Sequence, residues 1–204
     1  MSHFRIADDA HQPKTFAFTP EFQEKANKEI AKYPAGRQQS AVMALLDLAQ
    51  RQHGWVTRAA VAHIADLLGM AEIRVWEVVS FYTMYRTTPG GRINVHVCTT
   101  TPCWLRGSDA VTAACKSKLG IGFGEATEDG QFALHEVECL GACVNAPILQ
   151  IDDDYYEDVD GPKTEAILDA FMRGETPTPG PQVDRQTSAP VGGATTLHSV
   201  GGDD

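Results

Sequence analysis

Four cysteines constrain this chain more than any other feature. Cys98 and Cys103 form a Cys-x4-Cys pair, Cys139 and Cys143 form a Cys-x3-Cys pair, and the stretch between is long enough for a helix and a strand. Each pair can reach one metal centre from a single loop, so folding must bring two loops together. Four thiolates suit tetrahedral zinc or an iron-sulfur cluster. The spacing alone leaves both open.

The flanks say where the loops sit. Cys98 ends the alternating, β-branched run Arg92-Ile-Asn-Val-His-Val97, and Cys103 stands at the entry to a helical stretch beginning near Trp104 and running to about Leu119. The second pair follows the strand-like run Phe132-Ala-Leu-His-Glu-Val137 and precedes Pro147-Ile-Leu-Gln-Ile151. Both loops are therefore expected at one end of one sheet.

With these residues in view, a resemblance can be stated. Cys98-Thr-Thr-Thr-Pro-Cys103 followed by Glu138-Cys139-Leu-Gly-Ala-Cys143-Val-Asn-Ala-Pro147 resembles the thioredoxin-like 2Fe-2S ferredoxin subunit of the NADH-quinone oxidoreductase of respiratory complex I. Tyr33-Pro-Ala-Gly-Arg37, His53-Gly-Trp-Val56 and Phe81-Tyr-Thr-Met-Tyr85 resemble the helical half of that subunit, so the likeness spans about residues 19–175. It implies a 2Fe-2S cluster on Cys98, Cys103, Cys139 and Cys143 and a thioredoxin-like fold with a cis Ala146–Pro147 bond. It also implies a flavoprotein partner that holds the NADH and FMN sites. The implied place is peripheral, on the cytoplasmic side of a bacterial inner membrane or the matrix side in a mitochondrion.

Composition narrows the classes. A chain of 204 residues can hold one large or two small domains, and a formal charge of −10 argues against binding a phosphate backbone. No apolar run approaches the roughly 20 residues needed to cross a bilayer, and the acidic N-terminus with Asp8 and Asp9 does not read as a secretory signal. A soluble intracellular protein is expected. Five cysteines is an odd count, which suits metal or redox use better than a disulfide framework. The fifth, Cys115, repeats with Val111, Ala114 and Leu119 at helical spacing and reads as core.

The chain is expected to divide into an extension (1–18), a four-helix bundle domain (19–88), an α/β domain (89–175) and an extended or disordered tail (176–204), an α+β architecture overall. The resemblance implies that 89–175 is a thioredoxin-like 2Fe-2S ferredoxin domain. The first helix is capped by Thr19 and Pro20 and stopped by Pro34 and Gly36; others are expected over about 40–53, 58–68 and 71–85. The last two resemble a helix-turn-helix in outline. Residues 55–86 nevertheless balance Arg58, Arg74 and Arg86 against Asp66, Glu72 and Glu77, and the would-be recognition helix displays Val75, Trp76 and Phe81. A last helix is expected over 163–172, and the tail, rich in proline and small residues, is expected to contribute little to the fold.

Near the cysteines, Thr99, Thr100 and Thr101 are candidate hydrogen-bond donors to sulfur, and Gly141 removes a side chain that would crowd the second loop. His96 and His135 are expected to be sheet residues, because a complete cysteine set leaves them no ligand role. Gly120-Ile-Gly-Phe-Gly124 ends a helix instead of opening one, so it is no dinucleotide loop. Cys-x-x-Cys, which a thiol-disulfide oxidoreductase requires, is absent from the sequence. The leading expectation is a one-electron carrier that does not oxidise NADH by itself. The alternatives are an equivalent subunit of an NAD-linked hydrogenase or formate dehydrogenase, and a zinc-stabilised interaction module.

Overall fold

The computed structural model describes residues 5–193 and 195–196. The chain divides into two compact units, residues 1–90 and 91–204.

Among the described residues the first unit holds four α-helices: α1 (Pro20–Ala31), α2 (Val42–His53), α3 (Arg58–Leu68) and α4 (Glu72–Phe81). Their ends follow local chemistry. The Thr19 and Thr57 hydroxyls accept from the N–H groups of Phe22 and Ala60 at the starts of α1 and α3. Each such cap is worth about 1 kcal/mol. Gly54 closes α2 at φ 92° and Gly69 closes α3 at φ 60°, conformations that cost glycine little. Leu45, Leu46, Ala49, Val61, Ile64, Val75 and Val79 are buried in one shared core.

Two expectations shift here. The segment 38–41 is a 3-10 turn running into α2, and α4 stops at Phe81 instead of continuing to Tyr85. Tyr82 turns extended, which lets Tyr85 enter the core and donate its hydroxyl to the Met43 carbonyl at 2.9 Å. The extension also packs. Phe18 joins the core, Phe16 and Phe18 meet His63 edge-on, and the Ala7 N–H bonds the Thr87 carbonyl at 2.9 Å.

The second unit is an α/β sheet domain. Its strands are β1 (Ile93–Cys98), β2 (Glu125–Ala126), β3 (Phe132–Val137), β4 (Ile148–Ile151), β5 (Asp154–Glu157) and β6 (Gly180–Pro181), in the order β2-β3-β1-β4-β5-β6. β1 and β3 are parallel, β4 runs antiparallel to β1 and β5, and β6 lies parallel to β5. Helices α5 (Thr101–Leu105), α6 (Ser108–Leu119) and α7 (Gly161–Met172) complete it. Val95, Val97, Leu134, Leu149, Ile151 and Tyr156 from the sheet share a core with Val111, Cys115, Leu119, Ile167 and Leu168 from α6 and α7.

The single helix expected after Cys103 is two helices. Gly107 at φ 97° breaks it, so Cys103 lies within a short first helix and not ahead of a long one. The tail corrects a second expectation. Gly180 and Pro181 pair with Tyr156 and Glu157, the Tyr156 hydroxyl donates to the Pro177 carbonyl at 3.1 Å, and Arg185 forms an ion pair with Asp158 at 2.7 Å. Proline-rich sequence without periodicity still docks when it borrows another strand's edge. The part of the tail at 194 and 197–204 lies outside the described residues. Among the described residues no helix is long and apolar enough to cross a membrane.

Candidate metal centre

Strand register places the cysteines. β1 and β3 are parallel neighbours, with Cys98 opposite Val137, so both end at the same edge of the sheet and both cysteine loops leave from there. The chain returns along β4, entering after a 3-10 turn over Cys143–Asn145 and a cis Ala146–Pro147 bond. Cys98 and Cys103 are each 1% exposed and pack with Ala146 and Ile148, with Leu140, Ala142 and Tyr155 around them. Cys139 and Cys143 are exposed, and their sulfurs lie 3.3 Å apart.

The sulfurs act on one another as a single group. Burial opposes ionisation at Cys98, yet hydrogen bonds from the Thr100 hydroxyl, the Cys103 thiol and the Thr100 and Leu140 N–H groups bring it below its ordinary value. Cys103 is pushed up to about 12 by burial and by its hydrogen bond to Cys98. The Gly141 N–H and then the Cys143 thiol lower Cys139, while Cys143 is raised by that same bond and by desolvation. Charge on Cys98 is felt at both Cys139 and Cys143. In each pair the thiolate is thus favoured at one sulfur and disfavoured at its neighbour. Metal binding requires all of these protons to leave.

Of the three threonines, Thr100 meets the expectation, its hydroxyl lying 3.3 Å from the Cys98 sulfur. Thr99 turns away and donates to Glu136 at 2.8 Å, and Thr101 is the first residue of α5. The donors that sequence reasoning missed are backbone ones: Leu140 towards Cys98, Ile148 towards Cys103, and Gly141 to Cys139 at 3.4 Å. A backbone amide leaves no mark in the sequence. Such donors stabilise negative sulfur and raise the potential of an iron-sulfur centre.

Gly141 corrects the reason given for it. A Cβ there would meet nothing within 4 Å, but φ is 83°, so the loop needs glycine for its conformation and not for room. Gly120 caps α6 at φ 70°, as a helix stop. His96 and His135 are register partners whose rings stack at 4.9 Å, placing both within the sheet. Cys115 is fully buried on α6, and burial pushes its thiol up to about 12.

Among the described residues, no three His, Cys, Asp or Glu side chains are arranged to hold a single metal ion. A binuclear cluster asks for another arrangement, two ligands to each iron. Two local pairs, one within each loop, match that donor set.

Comparison with known proteins gives the family. Residues 26–172 match the thioredoxin-like 2Fe-2S ferredoxin family. An NADH-quinone oxidoreductase subunit of Rhizobium meliloti (strain 1021) is 50% identical over 202 residues, 98% of this chain and 74% of that protein. The mitochondrial NADH dehydrogenase (ubiquinone) flavoprotein 2 of Dictyostelium discoideum is 47% identical over 198 residues, 97% of this chain and 80% of that protein. A crystal structure of an NAD+-reducing NiFe hydrogenase in the air-oxidized state shares the fold, with a TM-score of 0.58 at 19% identity over 65% of this chain and 23% of the hydrogenase chain. The match across most of the chain, and two relatives near half identity, make this protein a member of the thioredoxin-like 2Fe-2S ferredoxin family.

Proposed function

We propose that this chain is the 2Fe-2S electron-transfer subunit of an NADH-quinone oxidoreductase, respiratory complex I, with Cys98, Cys103, Cys139 and Cys143 as the cluster ligands. The observation that carries the reading is the meeting of two cysteine loops at the common end of parallel β1 and β3. Its four thiols fit the all-cysteine ligand set of a 2Fe-2S centre. When bound, such a centre takes up and returns one electron at a time.

The chain's own residues do the rest. Cys98 and Cys103 anchor one side of the site in a packed cluster, while Cys139 and Cys143 stay at the surface. Thr100, Leu140, Gly141 and Ile148 supply donors that offset the negative charge of the sulfurs. Exposed Trp104, Leu105 and Val144 are sequence neighbours of Cys103 and Cys143, giving the site an apolar rim for a partner to cover. That partner is the NADH- and FMN-binding flavoprotein. The helical domain (19–88), a four-helix bundle, clamps it through exposed Leu67, Ile73, Phe81 and Met84, and the sheet domain (89–175) carries the electron. The chain works peripherally on the cytoplasmic or matrix side of the membrane and does not oxidise NADH alone.

Iron and acid-labile sulfide analysis, with optical and EPR spectra of oxidised and reduced protein, tests the ligand set. One zinc per chain without sulfide overturns it. Mixing the chain with the flavoprotein and NADH tests the partnership. Reduction by NADH in the isolated chain, or failure to pair, defeats that half.

A further inference from the structure

The two cysteine pairs are held by different means. Packing fixes Cys98 and Cys103, each 1% exposed. Cys139 and Cys143 are exposed, so the loop that carries them needs another restraint. The structure supplies one from the segment that follows β6, 40 residues beyond Asn145 in the sequence.

Asn145 occupies the same 3-10 turn as Cys143, two residues on, and is 3% exposed. All of its side-chain polar groups are engaged, as is its carbonyl. Its side-chain amide donates to Glu157 and to the Thr187 carbonyl, its side-chain oxygen accepts from Arg185 at 2.7 Å, and its main-chain carbonyl accepts from the Asp158 N–H at 2.7 Å. The other branch of the Arg185 guanidinium donates to Asp158 Oδ1 at 2.7 Å, with side chains 9% and 6% exposed. One planar fork thus bridges the cysteine turn and the segment after β5. Lysine, a point charge on a flexible stem, reproduces only one arm of it.

Backbone conformation points the same way. Asp158 (φ 54°) and Thr187 (φ 47°) lie in the left-handed region without being glycine. Such positions cost energy and persist where their surroundings over-determine them. Both bond Asn145 directly. Had the arm needed only an anchor, β6 pairing with β5 and Gln182 donating to the Glu157 carbonyl would serve without touching the cysteine turn.

We infer that Arg185 is a positioning residue for the cluster: through Asn145 it latches the turn bearing Cys143 and so holds the exposed sulfur pair in place. This rests on the ligand set proposed above. Groups that orient metal ligands from outside typically alter metal affinity by about 10- to 100-fold.

The test uses the full chain loaded with iron and sulfide, in wild-type, Arg185→Ala, Arg185→Lys and Asp158→Asn/Arg185→Gln forms. Three quantities are read: cluster loss to a chelator by visible absorbance, the EPR line shape after reduction, and the melting temperature. Arg185→Ala is expected to lose the cluster roughly tenfold faster with an altered line shape. Arg185→Lys, which keeps the charge beside Asp158, is expected to recover most of the melting temperature but neither cluster property. The double variant removes the buried charges together, so it reports on the latch even if Arg185→Ala fails to fold; its cluster loss is expected to quicken too. Wild-type cluster behaviour in a folded Arg185→Ala or double variant overturns the inference, as does full recovery of all three quantities by Arg185→Lys. A wild-type chain that binds no iron and sulfide overturns the ligand set and the latch together, whereas the other negative results overturn the latch alone.

Discussion

Gly141 separates two explanations that sequence alone merges, crowding and backbone conformation. With φ at 83° and no protein atom within 4 Å of where a Cβ would stand, replacement by alanine adds no clash with the chain itself but forces an L-residue into the left-handed region. That costs about 1–2 kcal/mol. The loop can relieve it only by leaving the conformation in which the Gly141 N–H points at the Cys139 sulfur, 3.4 Å away. The penalty therefore falls on the geometry of the proposed ligand loop, and its size corresponds to about 5- to 30-fold in the ratio of closed to open loop. Asparagine is larger but tolerates the left-handed region better than alanine. The expected order of cluster loss to a chelator, in the full chain, is Gly141→Ala fastest, Gly141→Asn intermediate, wild type slowest. If asparagine proves as harmful as alanine or worse, the conformational account fails and crowding must replace it. If alanine matches wild type, the loop does not depend on the left-handed turn at all.

Three further outcomes follow from packing and titration. Cys115→Ala should keep full iron and sulfide, and the native thiol, pushed up to about 12 by burial, should resist iodoacetamide at pH 8; cluster loss without unfolding would make it a ligand. Tyr85 is pushed up to about 12 by burial, then by the charge of Asp47 and by Tyr82, so its neutral form is the one folding favours. Its contribution is complete below the unfolded value of about 10 and is lost as pH rises through 10 to 12, about 3 kcal/mol at most. Tyr85→Phe should flatten denaturant midpoints across that window while costing about 1 kcal/mol at neutral pH, and an unchanged alkaline slope would refute this. Truncation before Thr176 removes β6 and the Arg185–Asp158 pair, so the melting temperature should fall by at least about 4 °C; a truncated chain that melts like the full one would show the arm to be ornamental.

What could be read from sequence was whatever is encoded locally. Cys98 at the end of a β-branched run and Cys139 just after another placed both loops at one sheet edge, because strand direction follows once the two runs are parallel neighbours. Thr19, Thr57, Gly54 and Gly69 marked helix ends through their own side chains or lack of one. The break at Gly107 was visible in principle, a glycine between two helix-forming stretches, but helical periodicity on either side masked it. Other features were not local at all. The backbone donors to sulfur belong to Leu140 and Ile148, whose side chains have no reason to advertise them. Arg185 sits in a segment without periodicity, and its value depends wholly on Asp158 and Asn145, 27 and 40 residues away. Phe16 and Phe18 precede the first helix, and they pack against each other, the helical core and His63 on α3, which is far from them in the sequence.

The asymmetry of the cysteine site bears on how an electron carrier of this kind is built. A fully buried centre would be protected from water but too far from any partner, and a fully exposed one would be loosely held. Here one pair sits inside a packed cluster at the end of a core strand, and the other lies at the surface beside an exposed valine. The surface pair can approach a partner only if its loop is rigid without being buried. Polar ties meet that demand where packing cannot: Tyr155 donates to the Leu140 carbonyl at 2.9 Å on one side of the loop, and Asn145 is gripped on the other. Exposed Trp104, Leu105 and Val144 leave apolar surface that water solvates poorly. Covering that surface would dry the sulfurs and strengthen every donor aimed at them. On this logic a partner seated on that rim would complete the working environment of the site, for which the chain already holds the geometry.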